Sequence, residues 1–116
     1  MKIYTGYFGQ IKKYRAAGLV TISIARFNKY YTGASLKLLA PDASIIHLEE
    51  KEYRPLYDRQ LAMLSKSAIR EKISELSGGK DCILLCYEKI GEFCHRHIVA
   101  DWLGDIKEFE LENKLF

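Results

Sequence analysis

The chain has 116 residues, with 18 Lys and Arg against 15 Asp and Glu for a formal net charge of +3, and it is 48% apolar and 28% charged. These are the proportions of one globular domain, residues 1–116, with enough apolar side chains for a single core, and they exclude an intrinsically disordered chain. A pI near 8.7, with Lys12, Lys13 and Arg15 as the one tight basic cluster, gives no ground for a broad nucleic-acid-binding face.

Residues 2–7 alternate Ile and Tyr and then meet Gly6 and Gly9, which predicts a first strand running into a glycine-punctuated loop. Residues 19–25 follow Gly18, are rich in β-branched side chains and predict a second strand ending near Arg26. The stretch 27–43 has aromatics, Gly33 and Pro41 but no sustained period, so it is expected as a long surface excursion with a short helical turn. From 49 to 64 the spacing of Tyr53, Leu56, Tyr57, Leu61 and Leu64 predicts a helix, with Pro55 placed near its first turn. A second helix is predicted from an N-cap at Ser67, with Ile69, Ile73 and Leu76 on one face, to a stop at Gly78 and Gly79.

Residues 82–87 form a continuous apolar run of strand length, the pattern of a central strand covered on both faces. A loop over 88–92 leads to a helix over 94–103 that buries Ile98, Val99, Trp102 and Leu103 and ends at Gly104, and 106–111 supplies a last short strand. Helical crossovers between apolar strands imply an α/β domain: a mainly parallel sheet of about four strands with helices packed on it, in a Rossmann-like three-layer arrangement.

In such sheets ligands bind beyond the carboxyl ends of the strands, so the first candidates are Thr5 and Tyr7 after the first strand, Arg26 after the second, and Glu88 with Cys94, His95 and Arg96 after the buried one. A helix start at Cys94–His95–Arg96 favours an anion, Arg96 adds a charged fork suited to phosphate or carboxylate, and the same field raises the thiolate fraction of Cys94. Were the domain an enzyme, His95 would transfer the proton, Glu88 would be its partner or base, Arg96 the charge clamp and Cys94 the nucleophile. The plainer reading keeps Cys86 as a structural cysteine and pairs Arg96 with Glu88 to hold the loop.

Three cysteines, Cys82, Cys86 and Cys94, are an odd count in a chain without an apolar leader, so free thiols are the expectation, with a Cys86–Cys94 redox pair as a lesser alternative. Cys86, Cys94 and His95 could donate metal ligands, but the paired Cys-x-x-Cys spacing of structural zinc sites is missing, so neither a metal nor a cofactor is expected. No Walker loop, dinucleotide fingerprint or phosphatase loop is present. With no run of membrane-span length, the expectation is a cytoplasmic protein without a membrane partner.

The segments Leu84-Leu85-Cys86-Tyr87-Glu88-Lys89, Glu92-Phe93-Cys94-His95-Arg96 and Val99-Ala100-Asp101-Trp102-Leu103 resemble the hallmark of domain-of-unknown-function family 488, small prokaryotic and phage proteins with Leu-Cys-x-Glu, a gap, Cys-His-Arg and a helix. Ile3-Tyr4-Thr5-Gly6-Tyr7-Phe8-Gly9 and Ile22-Ser23-Ile24-Ala25-Arg26 fit that family's first two strands. The resemblance implies an α/β fold and a shared polar cluster at Cys86, Glu88, Cys94, His95 and Arg96, without a substrate. One departure is Ile24, where many members carry the acid of an Asp-x-Arg pattern, so no mechanism here uses a carboxylate at that position. Function is thus expected to be binding of a small anionic ligand, phosphorylated, nucleotide or nucleic acid, beside Cys94–His95–Arg96. The competing expectation is a non-catalytic protein-interaction module in which the cluster is structural.

Overall fold

A computed structural model describes residues 1–88 and 93–111, in which β1 (Ile3–Tyr7), α1 (Ile11–Ala16), β2 (Val20–Ser23), β3 (Ala34–Ser35), α2 (Glu50–Ala62), α3 (Lys66–Ser77), β4 (Cys82–Cys86), α4 (His95–Leu103) and β5 (Lys107–Glu108) follow in order. The strands form one parallel sheet in the order β3-β2-β4-β1-β5. That is the expected α/β architecture with one strand more. The additional β3 is a two-residue pairing inside the 27–43 excursion, too short to leave a period in the sequence.

Side-chain alternation along β4 builds two cores from one strand. Cys82 and Leu84 point to the face covered by α2, α3 and α4, where they join Ile3, Ile22, Ile24, Tyr57, Ile73 and Val99. Ile83 and Leu85 point to the other face and pack on Tyr14 of α1. The chain moves from β1 to β2 with α1 on one face, then returns through β4 to β5 with α2, α3 and α4 on the other, so every helical crossover keeps the same hand. Among the described residues no helix is long and apolar enough to cross a membrane.

Several boundaries differ from the sequence expectation for identifiable reasons. The glycine-punctuated loop after β1 is in fact a 3-10 turn, Phe8–Gln10, running into α1; a six-residue helix whose one fully buried side chain is Tyr14 carries no amphipathic repeat. Pro55 is the sixth residue of α2 rather than a first-turn residue, so the Lys51 carbonyl lacks its helical partner. The N-cap of α3 is Ser65, whose hydroxyl accepts from the Ala68 amide at 3.2 Å, and the helix closes at Gly78 in the left-handed region with φ 65°. The expected faces of α2, α3 and α4 hold at Tyr53, Tyr57, Leu61, Ile69, Ile73, Ile98, Val99 and Leu103, whereas Leu56 and Leu76 are exposed and Trp102 is half-buried. The loop expected over 88–92 lies, from 89 onward, outside the described residues.

Gly6 is needed in β1 for space. A Cβ there would stand 2.6 Å from Ile83 Cδ1 and 2.7 Å from the ring of Tyr14, a side chain with no exposed surface into which it could retreat. Gly6→Ala is therefore expected to lower unfolding free energy by about 1–3 kcal/mol, the usual cost of overpacking a filled core. A urea-unfolding midpoint equal to that of the wild type would refute this reading of the β1–α1 contact.

Candidate functional site

Strand parity decides which of the residues at the sheet's carboxyl edge meet. Ile3, Thr5 and Tyr7 share one face of β1, Cys82, Leu84 and Cys86 share the same face of β4, and that face is the one α4 covers. Tyr7 is paired in register with Cys86. The two strands leave toward opposite faces of the sheet, so their shared end is the switch point of the fold.

Arg96 occupies this point. Its side chain is 0% exposed, and its Nε and Nη2 donate to the two carboxylate oxygens of Glu108 at 2.9 and 3.0 Å. Nη1 donates to the Glu88 carbonyl at 2.6 Å and to Cys86 Sγ at 3.1 Å, and the guanidinium carbon lies 5.8 Å from the centre of the Tyr7 ring. Thr5 Oγ1 completes the group by donating to Glu108 Oε1 at 2.8 Å. The carboxylate partner expected of Arg96 was Glu88; the structure supplies Glu108 of β5 instead, and Glu88 contributes a backbone oxygen. Arg96, Thr5 and Tyr7, expected as ligand contacts, thus face one another beside the cavity rather than line it.

That cavity, about 260 Å³, lies one strand over, between the ends of β2 and β4. Ala25, Arg26 and Phe27 line it after β2, Cys86, Tyr87 and Glu88 after β4, Phe93, Cys94 and His95 at the start of α4, and Pro41, Ile46, Leu48 and Tyr53 from the intervening chain. Four of the residues singled out from the sequence, Arg26, Glu88, Cys94 and His95, therefore converge on it. Phe93 and Tyr53 stand edge to face with ring centres 5.0 Å apart, forming an aromatic wall.

His95 is 7% exposed and its Nε2 is 2.7 Å from the Ile24 carbonyl oxygen. A carbonyl only accepts, so Nε2 carries the ring proton and Nδ1 is left with its lone pair, 3.8 Å from Cys94 Sγ. Burial is the main reason its pKa is pushed down to about 4, with the Arg96 charge adding to it, so the imidazole is neutral near pH 7. Cys94 is the N-cap residue of α4 but makes no capping hydrogen bond with its side chain. Its sulfur is joined to that of Cys86 in a disulfide, with the two Cα atoms 7.2 Å apart. The expectation of free thiols holds only for Cys82, which is buried in β4 and whose pKa burial pushes up to about 11. The sulfurs of Cys86 and Cys94 and a ring nitrogen of His95 all lie within 4.8 Å of one another, a grouping that the Cys-x-x-Cys criterion passes over.

Glu108 and Tyr53 are the residues that sequence reasoning missed. Glu108 is twelve residues from Arg96, in a two-residue strand, and only the parallel pairing of β5 with β1 brings it to Thr5. Tyr53 carries a core signal from its spacing on α2, and nothing in that spacing marks it as a cavity wall.

A family model described as DUF488-N3a, Active DUF488-N3 subclade, matches residues 24–107. No curated protein and no solved structure matches the chain.

Removing one partner of a buried ion pair leaves the other unpaired, at a cost of about 3–5 kcal/mol. Arg96→Met is expected to destabilise the domain by an amount in that range, and Arg96→Lys to recover little of it, because an ammonium cannot reproduce the two-pronged contact with Glu108. Urea titrations of both variants test this; wild-type stability in Arg96→Met would return the residue to a ligand-contact role. His95 adds a pH dependence whose sign is fixed by its lowered pKa. The unfolded chain binds its proton between about pH 6.5 and 4 while the folded chain does not, so stability is full above about 6.5 and falls by about 3 kcal/mol as pH drops toward 4. With the Cys86–Cys94 bond intact, His95→Gln should remove that part of the pH dependence, and an unchanged profile would show that His95 titrates normally in the folded state.

Proposed function

The chain belongs to the DUF488-N3a family, and from that premise and the cavity's lining we propose that it binds a small ligand of the nucleotide class, a planar ring carrying an anionic group, between the ends of β2 and β4. The observation that carries this reading is the pairing, in one cavity, of aromatic walls at Phe27, Tyr53 and Phe93 with the guanidinium of Arg26. Nε of Arg26 donates to the Pro41 carbonyl at 2.7 Å, which fixes the side chain, while its Nη atoms make no hydrogen bond among the described residues. A guanidinium held by one edge presents the other to phosphate or carboxylate. Lys37 Nζ, donating to the carbonyls of Ala25 and Arg26, adds positive charge under the same loop.

The volume suits a single base or a sugar phosphate rather than a dinucleotide, being near the lower end for ligand pockets. Apolar and aromatic side chains hold the ring, and Arg26 at the mouth holds the anion. His95 and Cys94 form the closed end, where a neutral imidazole with a free Nδ1 is a proton acceptor, and Glu88 lies exposed on the rim. Arg96 acts here as a positioning residue: it fixes the exit of β4 through the Glu88 carbonyl and Cys86.

The interaction-module reading draws on a different observation. Phe27 and Tyr87, 64% and 53% exposed, flank the cavity mouth, and Tyr30, 90% exposed, follows in the same excursion. A thermal-shift screen of wild-type protein and Arg26→Ala with nucleoside monophosphates, sugar phosphates, inorganic phosphate and short oligonucleotides separates the two. A ligand at 100 times its dissociation constant adds about 2.7 kcal/mol, which moves the melting point by several degrees. The expected result is a shift with a nucleoside monophosphate that is lost in Arg26→Ala, whose own melting point stays near wild type. The absence of a shift with any compound would favour the interaction module.

A further inference from the structure

We propose that, with its two sulfurs reduced, the closed end of the cavity is a metal site in which Cys86, Cys94 and His95 hold a divalent ion of the zinc class, leaving a fourth position open to the cavity. The inference stands whether or not the cavity takes a nucleotide. It runs against the expectation from Cys spacing because the three donors come from two elements, the end of β4 and the start of α4, which the fold brings together.

Four features carry it. Two sulfurs and an imidazole nitrogen within 4.8 Å of one another are the donor set that selects zinc-like ions, and a disulfide by itself has no use for the third donor. His95 is held as a metal-bound imidazole is held: its Nε2–H is anchored on the Ile24 carbonyl at 2.7 Å, which orients the ring and leaves Nδ1 toward the sulfur of Cys94. Arg96 Nη1 donates to Cys86 Sγ at 3.1 Å, a contact that favours the thiolate form a metal requires. The backbone holds the two cysteine Cα atoms 7.2 Å apart, wider than the roughly 4.4–6.8 Å that disulfides usually span.

Charge bookkeeping agrees. A divalent ion and two thiolates sum to zero, as do Arg96 and Glu108 beside them, so the buried group would carry no net charge. All three donors line the cavity, so the remaining position on the ion faces ligand or water, with Glu88 on the rim. Three protein ligands and an open position are the arrangement of a catalytic rather than a structural zinc site. In this state Cys94 is a ligand, not a nucleophile. Metal site and disulfide are alternative fates of the same sulfurs. Reduction by a phosphine and water adds two electrons and two protons to give two thiols and the phosphine oxide, and metal uptake releases both protons.

The test is an anaerobic Co²⁺ titration of the phosphine-reduced full chain, without any nucleotide. The expected result is a sulfur-to-cobalt charge-transfer absorption that saturates at one ion per chain, is bleached by Zn²⁺, is unchanged in Cys82→Ser and is lost in Cys94→Ser. Diamide, an azo oxidant that takes the two electrons of the thiolates and two protons from water as the disulfide forms, should expel the cobalt from wild type. No thiolate absorption from reduced wild-type protein overturns the proposal, and wild type alone decides this even should a variant fail to fold. Absorption that persists in Cys94→Ser also overturns it, by placing the ion elsewhere. Because no nucleotide is present, failure here leaves the ligand reading intact, and failure of the ligand screen leaves the metal site intact.

Discussion

A guanidinium with no exposed surface must find its hydrogen-bond partners inside the protein, and the places from which Arg96 draws them organise the carboxyl edge of this sheet. Glu108 comes from β5, the Glu88 carbonyl and Cys86 sulfur from the exit of β4, and the Tyr7 ring from β1. Three strands are thereby tied to one side chain of α4. β5 has only two residues, too few for its ladder to hold it, and the contact of Glu108 with Arg96 and Thr5 supplies what the backbone pairing lacks. Among the described residues no buried side-chain nitrogen or oxygen lacks a partner, so this group closes on itself completely.

That closure divides the sequence motif into two halves. Cys94, His95 and Arg96 are consecutive, yet His95 and Cys94 turn toward the cavity by β2 while Arg96 turns toward β1 and β5. A helix start permits this because neighbouring residues differ by about 100° around the axis. The switch point between β1 and β4, where an open α/β sheet ordinarily receives its ligand, is filled by the protein's own charge pair, and the accessible space is displaced to the β2–β4 edge.

How much of this the sequence disclosed follows from how local each signal was. β4, α2, α3 and α4 are legible because an unbroken apolar run, a three-to-four spacing and glycine stops are properties of neighbouring residues. α1 is not, since a six-residue helix that buries only Tyr14 presents no period, and β3 is not, since two residues of pairing leave none either. At the site, the convergence of Arg26 with Glu88, Cys94 and His95 was legible from the rule that chemistry gathers past strand ends. The identity of Arg96's partner was not, because it depends on which strand lies beside β1. The Cys86–Cys94 contact is only a lesser alternative in the sequence for the same reason: the spacing of the two residues says nothing about the pleat face on which Cys86 falls.

Burial at the closed end of the cavity favours cysteine over a carboxylate at this position. A carboxylate at 86 or 94, positions only 1% and 2% exposed, would be driven toward its neutral form unless fully paired. A cysteine tolerates the same burial as a small apolar thiol, as Cys82 does two turns of the pleat below, and ionises only where a cation is supplied. Cys86 accepts from Arg96 Nη1 at 3.1 Å, whereas Cys82 lies in the core with the Ser77 hydroxyl as its polar neighbour. Two cysteines on the same face of one strand are therefore set apart by what lies against them: Cys82 packs in the core, and Cys86 meets Cys94 and an arginine that does not itself line the cavity.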